Sequence, residues 1–164
     1  MPPGLHANLG ASSSKRWMSC PGSVALSAGI PDKGSVYATE GTAAHDLAEA
    51  ILSGLTRESA RGLVGTFHEN GTEITDELLD AVEVFVDHVE ETRFLIGDGT
   101  EMYLERRVEL AGAPEKMFGT ADVTLWNPET STMHIIDYKH GKGVVVNAKG
   151  NTQLQYYALA ACDT

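Results

Sequence analysis

Cysteine is almost missing from this sequence: Cys20 and Cys162 are the only two in 164 residues, far apart and without any C-x-x-C spacing. That excludes a disulfide framework and a self-contained zinc or iron–sulfur site, and leaves two ordinary thiols. Cationic residues are scarce too, 12 Lys and Arg against 23 Asp and Glu, for a net charge of −11. Coating nucleic acid by bulk electrostatics needs clustered Lys and Arg, so that class is excluded. An enzyme that meets phosphates through metal ions is not excluded, because the ion supplies positive charge locally. No apolar run approaches the roughly 20 residues that cross a bilayer, and the start MPPGLHANLG lacks the regions of a signal peptide. The expectation is a soluble, intracellular protein with no membrane partner. Internal repeats and low-complexity tracts are also lacking.

What is present suits one domain, since a 42% hydrophobic fraction can bury a core at this length. Residues 1–14, rich in Gly, Pro, Ser and Ala, read as a flexible N-terminal arm before a single domain over 15–164. A short helical turn is expected over 14–26, interrupted at Pro21-Gly22. The next helix is expected after Gly41, capped by Thr42 and running to Gly54, with Leu47, Ala48, Ile51 and Leu52 as its apolar face. Residues 55–74 read as loop. A longer helix is marked by Thr75 as cap, Asp76 and Glu77 against the dipole, and Leu78, Val82, Phe85, Val89 and Ile96 at helical spacing before Gly97.

The period then changes. Over 101–110, Met102, Leu104, Val108 and Leu110 alternate with Glu101, Glu105, Arg107 and Glu109, as in a half-buried strand. Strands over 119–126 and 133–140 flank a turn-like segment at 127–132 and predict a hairpin. Val144 to Val146 are a candidate short strand piece, and QLQYYALAAC reads as a final helix. Helix, helix, three strands, helix is an α+β arrangement with an antiparallel sheet.

The hairpin carries the chemistry. Asp122 and Asp137 lie equidistant from the turn centre, as do Trp126 and Met133 beside the turn. Without a bulge the two aspartates oppose each other on one face, with β-carbons about 5 Å apart, and Lys139 alternates onto that face. Opposed like charges destabilise a sheet unless neutralised, and Mg²⁺ or Mn²⁺ held by carboxylates does that. The bland alternative is a hairpin with solvent-facing acids, one paired with Lys139. Against it, IIDYKHG places the charged residues straight after an apolar run, where they are costly unless they serve a site. Gly119 lets a backbone or a substrate approach closely. His45 and Glu49 share a helical face, which is equally what a surface His–Glu pair would show. Glu40 just before them reads as a solvated carboxylate, and Gln153 with Tyr157 could equally belong to an amphipathic helix with a buried tyrosine.

Together GTAAH (41–45), GTAD (119–122), DYK (137–139) and QLQYY (153–157) resemble the PD-(D/E)XK nuclease superfamily, specifically its RecB-like branch and an exonuclease-type family often encoded by bacteriophages and prophages. The segment with Ser13, Trp17 and Cys20 to Ser23 is similar to the N-terminal segment of that group, and the resemblance covers roughly residues 12–162. It implies a restriction-endonuclease-like core, a central antiparallel or mixed sheet flanked by helices. Because that core continues past its Gln-x-x-x-Tyr helix with a further strand, the resemblance implies a truncated domain or one completed by another chain. It implies metal ligation by His45, Asp122, Asp137 and the Tyr138 carbonyl, with Lys139 orienting the attacking water. Gln153 and Tyr157 would position the lysine or the DNA backbone.

The implied cofactor is Mg²⁺ or Mn²⁺, one ion or two, with Glu40 or Glu49 completing a second position. No iron–sulfur cluster is implied, because Cys20 lacks the three trailing cysteines of the cluster-bearing relatives. The implied function is a metal-dependent deoxyribonuclease of exonuclease type, hydrolysing DNA phosphodiester bonds in phage recombination or end processing in the cytoplasm of a bacterial host. DNA is its partner, and a recombination or replication protein and a second copy of the chain are compatible ones. Two other readings stand beside it: a catalytically inactive nucleic-acid-binding or assembly subunit of the same fold, favoured by the charge of −11, and an acidic mimic of DNA, disfavoured by the clustering of its acids with Lys139.

Overall fold

In the computed structural model, which describes residues 7, 9–30, 36–113, 117–141 and 145–163, the chain runs through α1 (Ser14–Ser19), α2 (Ser23–Ser27), α3 (Val36–Leu52), α4 (Arg57–Arg61), α5 (Asp76–Ile96), β1 (Glu101–Glu109), β2 (Phe118–Asn127), β3 (Thr132–Ile136) and α6 (Thr152–Cys162). It is an α+β fold: β1-β2-β3 form an antiparallel sheet with helices on both faces. No helix among the described residues is long and apolar enough to cross a membrane.

Local chemistry explains the best-defined helix. The Thr75 hydroxyl accepts the Leu78 N–H at 3.2 Å, Asp76 and Glu77 sit in the first turn, and Gly97 ends the helix at φ 111, a value that favours glycine. Its buried face, Leu78, Leu79, Val82 and Val86, packs on Ala43, Ala44, Leu47, Ala48 and Ile51 of α3. Further along α5, Val89 meets Val123 and Leu125 of β2, with Met102, Leu104 and Ile136 around them. On the other face, α6 brings Tyr156, Tyr157 and Ala160 against Val108, Ala121 and Ile135. Ile135 and Ile136 thus go to opposite layers, as strand alternation requires.

The hairpin register is the expected one, with Trp126 opposite Met133 and Val123 opposite Ile136. Pairing extends one step further toward the turn, to Asn127 and Thr132, and the Asn127 side-chain oxygen accepts the N–H groups of Glu129 and Thr130.

Four sequence expectations need correction. Helix α3 begins at Val36, so Thr42 is not a cap; its hydroxyl bonds back to the Ala38 carbonyl within the helix. Residues 55–74 are not all loop: Thr56 caps α4, and Arg57 and Arg61 tie it to Asp87 and Glu83 of α5 at 2.7 Å each. Over 14–26 the expected interrupted helical turn is present as two short helices parted at Pro21-Gly22. Strand β3 stops at Ile136 rather than His140, because the next N–H on that face, that of Tyr138, goes to the Asp122 carboxylate instead of a ladder partner.

The fourth correction concerns alternation in β1. Leu104 packs toward α5, and Glu105, at φ 44, reaches His45 of α3, so two successive side chains leave on the same side. Tyr103 and Arg106 stack together on the other. On β2, Asp122 and Val123 likewise both face α3 and α5, between Ala121 and Thr124. Of the expected arm, residues 1–6 and 8 lie outside the described residues, whereas Ala11–Ser13 form a 3-10 turn with Ala11 buried beside Val108, Ala121 and Tyr157; Val144 also lies outside, and Val145 and Val146 are described and form no strand.

Candidate metal centre

The double break in alternation builds the site. The β1–β2 register runs from Leu104 opposite Val123 to Arg106 opposite Ala121, and the rung skipped between them is Glu105 opposite Asp122. Both carboxylates turn toward α3, whose His45 meets them: His45 Nδ1 lies 3.6 Å from Asp122 Oδ2 and 4.0 Å from Glu105 Oε1. One ligand atom from each of the three lies within 4.8 Å of the other two. They line a cleft of about 790 Å³ with Asp46, Glu49, Thr120, Tyr138, Lys139 and His140.

Asp137 and Lys139 flank this triplet. Extending the hairpin register one step sets Asp137 opposite Asp122, as the sequence predicts, but the ladder has already ended. The Lys139 ammonium lies 2.5 Å from Asp137 Oδ2, and the Gln153 amide donates to Asp137 Oδ1 at 2.6 Å and lies 3.3 Å from the Tyr157 hydroxyl. Gln153 therefore holds Asp137, which is itself the partner of Lys139. The closeness that Gly119 permits is to a ring: a β-carbon there would lie 2.7 Å from Tyr157 Cε1.

Electrostatics mark the same place. Burial, then Asp122, and then Glu49, Asp46 and Asp137 push the Glu105 carboxyl up to about 7. Asp122 is also raised, first by burial and then by Asp137, while His45, the Tyr138 N–H and Lys139 pull the other way. Such crowding of acids is relieved by protons or by a cation.

Tyr138 ties the site to the core. Its N–H donates to Asp122 Oδ2 at 2.6 Å, and its ring stacks on Phe85 at 4.4 Å with His45 at 5.2 Å. Its hydroxyl lies 3.0 Å from His140 Nδ1, and His140 Nε2 lies 3.4 Å from Glu40 Oε1. Glu40 thus meets a histidine, and Glu49 lines the cleft without joining the triplet.

Two members escaped the sequence reading. Regular alternation puts Glu105 among the outward-facing residues of a strand; the signal that corrects it is the β1–β2 register, which sets it opposite Asp122. His140 carries no signal beyond its place after DYK. A second cluster, Asp46, His68 and Glu69, is of a different kind. His68 Nε2 faces Asp46 of α3 at 3.0 Å and its Nδ1 accepts the Asn70 N–H at 3.3 Å, so one nitrogen ties the loop to α3 and the other is used within the loop.

No solved structure matches the chain. A family model described as "Protein of unknown function (DUF2800)" matches residues 6–164, and the chain belongs to that family.

Proposed function

We propose that this chain is a divalent-metal-dependent nuclease that hydrolyses DNA phosphodiester bonds. The observation that carries the proposal is the convergence of His45, Glu105 and Asp122 on one point beside the Asp137–Lys139 pair. The donor set fits Mg²⁺ or Mn²⁺: two carboxylates are hard oxygen ligands, and an imidazole is acceptable to Mn²⁺. When bound, such an ion supplies Lewis acidity, polarising phosphate oxygens and acidifying a water.

The chain's own groups do the rest. His45, Glu105 and Asp122 hold the ion, and the Tyr138 N–H orients Asp122. Lys139 is 47% exposed and an ammonium has three donors, so it can keep Asp137 and still bind a phosphate oxygen of the substrate. Asp137, only 7% exposed, is fixed by Gln153 and Lys139, and each of its oxygens keeps a lone pair for a water or the ion. The resemblance to the RecB-like branch supports a restriction-endonuclease-like core, DNA as substrate, an exonuclease type of cleavage and a role in phage recombination or end processing in a bacterial cytoplasm.

The test is digestion of end-labelled linear and circular DNA with Mg²⁺, Mn²⁺ or EDTA. Metal-dependent loss of linear DNA with circular DNA spared supports the exonuclease reading, and cleavage in EDTA overturns it. The second reading, an inactive nucleic-acid-binding or assembly subunit, draws on the net charge of −11 for its assembly form, since that charge repels a phosphate backbone. A chain that binds DNA but shows no saturable Mn²⁺ binding would favour that subunit.

A further inference from the structure

We propose that His140 is a positioning residue, closing a circuit of contacts that begins and ends on α3 and holds Asp122 within reach of His45. The circuit runs from Glu40 Oε1 to His140 Nε2 (3.4 Å), from His140 Nδ1 to the Tyr138 hydroxyl (3.0 Å), from the Tyr138 N–H to Asp122 Oδ2 (2.6 Å), and from that oxygen to His45 Nδ1 (3.6 Å). It rests on the metal-centre reading above and adds to it a group that is not one of the three converging donors.

Three features make His140 a positioning group and not a ligand or a proton carrier. Its side chain is only 7% exposed. Both ring nitrogens already have partners, so binding an ion or taking a proton from a substrate would break the circuit. In the neutral imidazole the partners also fix the proton's place: a carboxylate only accepts, so Nε2 donates to Glu40, and Nδ1 is left to accept from the tyrosine hydroxyl. Burial pushes that tyrosine up to about 12, so it holds its proton for donation.

The circuit acts where α3 meets the segment after β3. His45 is one residue among 17 on α3, and Asp122 comes from the sheet; their distance depends on how the helix sits over the strand ends. Stacking on Phe85 sets the plane of the Tyr138 ring but not its position within that plane. His140 joins that hydroxyl to α3. Groups that orient metal ligands from behind in this way typically change metal affinity about 10- to 100-fold when removed.

The experiment measures Mn²⁺ affinity from the free-ion signal in electron paramagnetic resonance, using the wild-type chain, Tyr138→Phe, His140→Ala and the double variant, with circular dichroism as the check of folding. Tyr138→Phe keeps the stacked ring and deletes only the hydroxyl, so it decides the matter if His140→Ala does not fold. Each single variant is expected to weaken Mn²⁺ binding about 10-fold or more, and the double variant no further, because either change opens the same circuit. Imidazole ¹⁵N shifts in the ion-free protein should show His140 protonated at Nε2, with the Nδ1 resonance moving in Tyr138→Phe. Equal Mn²⁺ affinity in wild type and both single variants overturns this inference and leaves the metal centre standing. Absence of saturable Mn²⁺ binding in the wild-type chain sinks both.

Discussion

Glu105 stands opposite Asp122 at the rung skipped between two paired rungs of the β1–β2 ladder, and both carboxylates turn to the same helix. A regular strand would have sent Glu105 to the layer of Tyr103. The departure, at φ 44, places two acids where neither has a full complement of cationic partners. Strained backbone persists when the surroundings enforce it, and it collects where a site needs it.

Replacing Glu105 should therefore move stability and function in opposite directions. Glu105→Gln removes a repulsion at a half-buried site and is expected to raise the melting temperature of the ion-free chain, while weakening Mn²⁺ binding about 10-fold or more through loss of a ligand. Thermal melts in EDTA and calorimetric Mn²⁺ titration read the two effects. A variant that is less stable and binds Mn²⁺ unchanged would remove Glu105 from the site.

Stability of the ion-free chain should fall as pH rises from about 5 to about 8. Burial and neighbouring acids hold Glu105 near 7 in the folded chain against an ordinary 4.5, so between those values the folded state binds the extra proton. The contribution is complete below the unfolded value and is lost as pH climbs through the folded one; Asp122, also raised, adds in the same sense. Melts in EDTA across this range should slope downward, and Glu105→Gln should flatten them. Added Mn²⁺ should reverse the trend, because ionised carboxylates bind it best.

Lys139→Ala separates catalysis from ion binding. With Asp137 still bonded to Gln153, the variant is expected to lose about 10²- to 10³-fold in cleavage rate, the usual cost of a donor aimed at developing charge. Its Mn²⁺ affinity should not weaken. Single-turnover digestion of labelled DNA together with the Mn²⁺ titration would show it.

Gly119→Ala tests the seat of α6. The added methyl would fall 2.7 Å from Tyr157 Cε1 and 3.2 Å from Ala11 Cβ, so the ring must shift and carry the Gln153 contact with it. A loss of about 1–3 kcal/mol is expected from such overpacking, read from urea midpoints.

Much of this could be read from residue order. The cap at Thr75, the stop at Gly97, the hairpin register and the spacing of Gln153 and Tyr157 are local signals, set by hydrogen bonds and periodicities within a few residues. Glu105 escaped because its placement depends on a kink matched across two strands, which strand alternation does not encode. The true start of α3 escaped because Thr42 resembles a cap while its hydroxyl bonds inside the helix. His140 escaped because its partner, Glu40, is 100 residues away in sequence.

Tyr138 belongs to two structures at once. Its ring is part of the apolar layer between α3 and α5, while its amide is the clasp on Asp122. Opening that helical layer and dismantling the acidic cluster should accordingly be one cooperative event. The amide proton of Tyr138 should exchange with solvent as slowly as those of Leu79 and Val82, although it sits beyond the last rung of the sheet.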